Sequence, residues 1–267
     1  MRRLCKTLVA ASIVLGMNMT AALAVTGCQS IAIPAYFWRT DNAWNRILGN
    51  AAARARVSVI VIPPCSDTGG EITPCVKPGD KPIAEYTDII RRAKTAGIKV
   101  LSYVWTDYGR RTYASIAAEI SRTKTNYNVD GIFLDGVSTA SNHFTLYANL
   151  SNYIRSARGG FVAMNPGVVP NSAMLMAYAD LLVTFEGTYS TYVNSYTAQG
   201  WTTAYPASRF WHLVHATPAT ATSNAVRLSE LRNAGAIYVT DAVLPNPWNR
   251  LPSYFSAEMT ILRSRCG

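Results

Sequence analysis

Histidine, acidic side chains and the cysteine spacings of metal sites are all scarce in this sequence. Of 267 residues only three are histidine and fifteen are Asp or Glu, against twenty-five Lys or Arg. The histidines do not cluster and no CxxC occurs, so no metal site is expected and no cofactor is called for. No G-x-S-x-G occurs and no histidine stands beside a nucleophile candidate, which argues against a serine esterase or protease. The formal net charge is +10, but the basic residues are scattered through helix-like segments. Nucleic acid is therefore not an expected partner, whereas attraction to an anionic wall or polysaccharide is compatible with the charge. No linker, low-complexity block or short repeat interrupts the chain, which reads as one domain.

Charge is also missing between Lys6 and Arg39. The basic start MRRLCK, the apolar run Leu8 to Met17 and Ala22-Leu23-Ala24 predict a secretory signal over residues 1–24, removed to leave a domain over 25–267. Taking 24 from 267 leaves 243 residues, and losing Arg2, Arg3 and Lys6 from +10 leaves about +7. The expected location is secreted or periplasmic, with no membrane span after cleavage, and a monomer is expected. A lipoprotein acylated at Cys28, in Val25-Thr26-Gly27-Cys28, is the minority alternative, and a retained anchor is weaker still. Without Cys5 the count becomes even, leaving Cys28, Cys65, Cys75 and Cys266 for an oxidising compartment. Cys65 would pair with Cys75 across one loop, and Cys28 with Cys266 would tie the termini.

Strand-like and helix-like runs alternate eight times. The predicted strands are 31–38, 57–63, 99–106, 129–136, 160–165, 179–186, 210–216 and 236–241. Apolar residues at helical spacing lie between them, as in Ile83, Tyr86, Ile90 and Ala93. Eight such units predict a single (β/α)₈ TIM-type barrel, with an open doubly wound sheet as the rival.

In such a barrel chemistry sits at the C-terminal strand ends. Val129–Ser138, VDGIFLDGVS, is an apolar strand running into Asp135. Period-two alternation puts Asp135 with Phe133 and Gly131 facing inward. In the sixth strand it puts Leu182, Thr184 and Glu186 on the inner face. Asn165, His215 and Asp241 close the fifth, seventh and eighth strands. Two carboxylates over a shared mouth suit glycosidic cleavage, one protonating the leaving oxygen and the other attacking carbon or activating water. Tyr36, Phe37, Trp38, Tyr103, Trp105 and Tyr108 offer flat faces to a sugar.

Several stretches resemble the spherulin-4 family, secreted barrels classed among glycoside hydrolases. They are KVLSYVWTDYGRRTYASIAAEI at 99–120, VDGIFLDGVS, NPG at 165–167, Phe185-Glu186, and IYVTDAVLPNPWNRLPSYF at 237–255. The resemblance implies an endo-acting, galactosaminidase-like enzyme on an N-acetylgalactosamine-containing or related amino-sugar polysaccharide, with Asp135 and Glu186 as acidic site residues. Two departures stand out. The family's acidic pair at the end of the fourth strand is Asp135-Gly136 here, with Asp107 or Asp241 as possible stand-ins. The second strand runs into Ile62-Pro63-Pro64 and the cysteine loop. The expected function is thus a secreted polysaccharide hydrolase using Asp135 and Glu186, with Tyr36, Tyr103, Trp105, Asp107, Tyr108, Asn165, His215 and Asp241 lining the cleft. The alternative is a non-catalytic, wall-associated glycan-binding or structural protein on the same barrel.

Overall fold

A computed structural model describes residues 28–65, 75–156 and 160–264. Eight parallel strands form a closed barrel in sequence order: β1 Ser30–Pro34, β2 Val57–Ile62, β3 Lys99–Trp105, β4 Gly131–Asp135, β5 Phe161–Asn165, β6 Leu181–Thr188, β7 Phe210–His215 and β8 Ala236–Val239. β8 pairs with β1, Ser30 beside Ala236 and Ile31 beside Ile237, and that pairing excludes the open sheet. The predicted leader, with Cys5, and Cys266 lie outside the described residues. Among the described residues no helix is long and apolar enough to cross a membrane.

The outer layer departs from one helix per strand. Two short helices, α1 Ala43–Leu48 and α2 Ala51–Arg54, join β1 to β2. α3 Ala84–Thr95, α4 Tyr113–Tyr127 and α5 Phe144–Ser156 follow β2, β3 and β4. Only a 3-10 turn, Ala173–Ala177, joins β5 to β6, where a helix was expected. α6 Tyr189–Asn194, α7 Thr222–Leu231 and α8 Phe255–Ser264 complete the ring. α4 shows why such segments are helical: Ile116, Ile120, Thr123 and Tyr127 recur on one buried face. Thr112 caps it by accepting from the Ser115 amide, worth about 1 kcal/mol.

Alternation sorts the strand residues between two cores. Ile132 and Leu134 point at the helices and are fully buried. Phe133 instead meets Trp211 from β7, ring centroids 5.6 Å apart, across the barrel interior. Full burial of each such side chain contributes roughly 1.5–3 kcal/mol. At the N-terminal end, acids are structural: Asp130 accepts from the Val100 amide and pairs with Lys94, and Asp180 accepts from the Val162 amide and pairs with Arg155.

Three strand expectations need correction. β1 ends at Pro34, so Tyr36, Phe37 and Trp38 follow the strand. Phe37 is buried against Trp44 and belongs to the core, not to a sugar surface. β8 ends at Val239, leaving Asp241 in the loop beyond. In β6 the register slips between Val183 and Phe185: Val183 stands beside Trp211, but Phe185 stands beside His212 and Glu186 beside Leu213. Thr184 is therefore an extra, bulged residue. Leu182 and Thr184 face the helices, not the interior, while Leu181, Val183 and Glu186 face in.

Candidate active site

Asp135 and Asn165 are register partners at the ends of β4 and β5, and Trp105 pairs with Asp135 from β3. The three side chains therefore share one level of the barrel mouth. The Asn165 side-chain amide donates to Asp135 Oδ1 at 2.8 Å and to Glu186 Oε2 at 2.6 Å. Its own Oδ1 accepts from the Gly167 amide at 2.9 Å, which fixes which end of the amide faces the acids. Bonds of 2.8 and 2.6 Å from one nitrogen limit those two carboxylate oxygens to a separation of about 5.4 Å. Asp135 and Glu186 thus present two carboxylates that share one neutral donor at the C-terminal face.

Neighbouring strand ends are pinned to this level. Thr106 donates its amide to the Asp135 carbonyl at 2.8 Å and its hydroxyl to the Gly136 carbonyl at 2.7 Å. The Tyr108 amide also donates to Gly136 O, at 2.6 Å. Asp107 and Tyr108 both take left-handed φ values, 53° and 51°. Each costs about 1–3 kcal/mol, and such strain collects at functional sites. The turn leaves Tyr108 46% exposed, with its ring edge-on to Trp105 at 5.3 Å. Beneath it, the Arg111 guanidinium bonds the Trp105 carbonyl and the buried Glu119, whose other oxygen accepts from the Cys75 amide. Cys65 and Cys75 form the expected disulfide.

Gly136 has φ +58°, and a Cβ there would stand 2.4 Å from Cζ3 of Trp105. The Trp105 indole thus lies over the backbone where a second acid would branch. Asp107 is no replacement in its present position. Its carboxylate bonds Arg110 at 2.6 Å, and that pairing holds its pKa below the usual carboxylate range. Asp241 likewise bonds Arg250 at 2.8 Å and the Ser253 hydroxyl at 3.1 Å.

The remaining expected residues are distributed around the rim. Tyr36 meets Tyr103 edge-on at 5.5 Å. Tyr103 is only 6% exposed and forms wall more than platform. His215 ends β7 beside Trp248, ring centroids 5.9 Å apart, and burial pushes its pKa down, so the imidazole is neutral near pH 7. Trp248 was not anticipated. It lies beyond β8, is buried, and its carbonyl accepts from the Tyr36 amide at 3.2 Å, linking the loop after β8 to the end of β1. The only sequence signal for it was an aromatic in a proline-rich turn within IYVTDAVLPNPWNRLPSYF. Among the described residues no group of three or more His, Cys, Asp or Glu is placed to hold a metal ion.

Known proteins share this fold. Spherulin-4 of Physarum polycephalum is 27% identical over 248 residues, spanning 88% of this chain and 70% of that protein. The structure of Aspergillus clavatus Sph3 in complex with GalNAc superposes with a TM-score of 0.70 at 21% identity, covering 88% of this chain and 98% of that one. A chitinase from Chromobacterium violaceum gives a TM-score of 0.54 at 12% identity, covering 88% and 100%. At these identities the structural likenesses establish the (β/α)₈ barrel fold alone. The sequence match to the family runs over residues 30–262, so the chain belongs to Spherulation-specific family 4.

Proposed function

We propose that this protein is a glycoside hydrolase cleaving an amino-sugar-containing polysaccharide from within, with Asp135 and Glu186 as its carboxylate pair. The observation that carries this reading is the single Asn165 amide bonded to both acids at the barrel mouth. One carboxyl group protonates the glycosidic oxygen as its bond to the anomeric carbon breaks. The other attacks that carbon from the opposite face. Water then releases the covalent sugar, with the first group acting as base. Retaining pairs stand about 5–5.5 Å apart and inverting pairs roughly 6.5–9.5 Å, and nearest oxygens held within about 5.4 Å by the shared amide are compatible with double displacement. The bound sugar in Sph3 and the Trp105–Tyr108 corner support an N-acetylgalactosamine-type or related residue as ligand.

A second reading, glycan binding without cleavage, draws on Gly136, where Trp105 leaves no room for another acid. Reducing ends released from acetylated and deacetylated galactosamine, uronic-acid and neutral polymers separate the two. Wild type should release ends from at least one polymer, and Asp135→Asn and Glu186→Gln should each lower the rate by about 10²–10⁴-fold. Retained anomeric configuration in the first product, read by proton NMR, would support double displacement. Binding with no release, indifferent to both substitutions, would leave only the second reading.

A further inference from the structure

Strict alternation in β6 would aim Glu186 the wrong way. Leu181 faces inward beside Ala163 of β5, and Val183 faces inward beside Trp211. Two residues further on, Phe185 would be inward and Glu186 would point into the helical layer. Thr184 is the extra residue that reverses the phase, so the acid reaches Asn165 only because the strand bulges here.

What holds the bulge lies behind the strand. Thr184 Oγ1 is 3.1 Å from His212 Nε2, and the same nitrogen is 3.2 Å from the Tyr196 hydroxyl. The Tyr192 hydroxyl is 2.7 Å from the other ring nitrogen. Phe185, turned outward by the bulge, packs against Tyr192 and Tyr196 at 4.5 and 4.7 Å. Arg232 of the turn after α7 covers both tyrosine rings, at 4.5 and 5.1 Å, and donates to the Tyr192 carbonyl. A fully buried imidazole with partners at both ring nitrogens is a satisfied, rigid support behind the bulged threonine.

We propose that Thr184 and His212 are positioning residues, which act through the β6 bulge to hold Glu186 in the barrel mouth against Asn165. The assignment rests on the glycosidase reading for its consequence in catalysis, but the placement of Glu186 is testable without it. Burial, with a smaller contribution from Arg232, pushes the His212 pKa down to about 3. The clamp therefore stays neutral and intact across the pH range in which a carboxylate pair works.

Two variants test this, Thr184→Val and a deletion of Thr184, with Thr184→Ser as the conservative rescue. Crystal structures should show the Glu186–Asn165 hydrogen bond lost in both, with Glu186 turned toward the helical layer in the deletion. The bond should be present in Thr184→Ser. On a polymer that wild type cleaves, Thr184→Val should lower kcat at least tenfold with KM within about twofold, and Thr184→Ser should restore it. Should the deletion fail to fold, Thr184→Val carries the test. A Thr184→Val structure with Glu186 still bonded to Asn165 and kcat unchanged would overturn the proposal. If wild type and Glu186→Gln release equally little, the glycosidase reading fails while the structures still decide the positioning role.

Discussion

The indole of Trp105 and the Cα of Gly136 are mutually exclusive with a side chain at position 136: the nearest ring carbon would stand 2.4 Å from an added Cβ. The ring in turn supports Tyr108, whose amide bonds the Gly136 carbonyl. Glycine here is thus part of an aromatic corner, and four features of the mouth and its supports yield measurable expectations.

Gly136→Ala should cost about 1–3 kcal/mol from overpacking, with about 1–2 kcal/mol more for a left-handed φ. Gly97→Ala is the control, because φ there is +77° and nothing lies within 4 Å of the added Cβ. It should show the backbone cost alone. Urea denaturation of both variants measures the difference. Equal destabilisation would mean that Trp105 yields freely. Gly136→Glu should be tolerated only together with Trp105→Ala.

Asn165→Ala removes the donor shared by Asp135 and Glu186. A hydrogen bond to a charged group contributes about 1.5–3 kcal/mol, so kcat should fall tenfold or more and the two carboxylates should move apart in a crystal structure. Unaltered kcat and unaltered side-chain positions would show that the barrel places the acids without the amide.

Glu258 of α8 is fully buried, its Oε1 accepting from the Val239 amide while Oε2 has no hydrogen-bond partner among the described residues. Burial raises its pKa to about 8, against an ordinary value of 4.5, despite the opposing amide bond. The unfolded chain therefore releases this proton at lower pH than the folded one. The group's contribution to stability is complete below about pH 4.5 and is lost as pH rises toward 8, at about 1.4 kcal/mol per unit. Glu258→Gln should remove that slope and gain on wild type at pH 8. Parallel stability curves for the two from pH 5 to 8 would show that Glu258 is ionised in the fold.

Cys65 and Cys75 are ten residues apart, so Cys65→Ser with Cys75→Ser should cost about 2–3 kcal/mol from freed loop entropy. The loss should reach the site as well, because the Cys75 amide bonds Glu119, which pairs with the Arg111 that holds the Trp105 carbonyl. Tryptophan fluorescence alongside thermal unfolding reads both effects. A lower Tm with an unchanged native spectrum would show that the loop is anchored independently of Trp105.

The amino-acid sequence alone determined the barrel and its first acid. Eight apolar runs separated by helical spacing admit few closed arrangements, and a buried strand such as Val129–Ser138 opens to ligand only where it ends. Asp135 and Asn165 were legible because β4 and β5 are regular, so counting by two is enough. Tertiary structure decided the rest. Glu186 was expected to face inward in company with Leu182 and Thr184, yet those two point outward, and the acid is turned in by a bulge that Thr-Phe-Glu does not advertise. Asp107 and Asp241 follow the ends of β3 and β8, and each is engaged by an arginine, Arg110 and Arg250, close in sequence. Trp248 enters the rim by way of a loop that carries no periodicity. The physical reason is common to all of these. Alternation and helical spacing are local and repeat along the chain, whereas register in a closed sheet, a bulge and the pairing of a charge are settled by which neighbour stands across the gap.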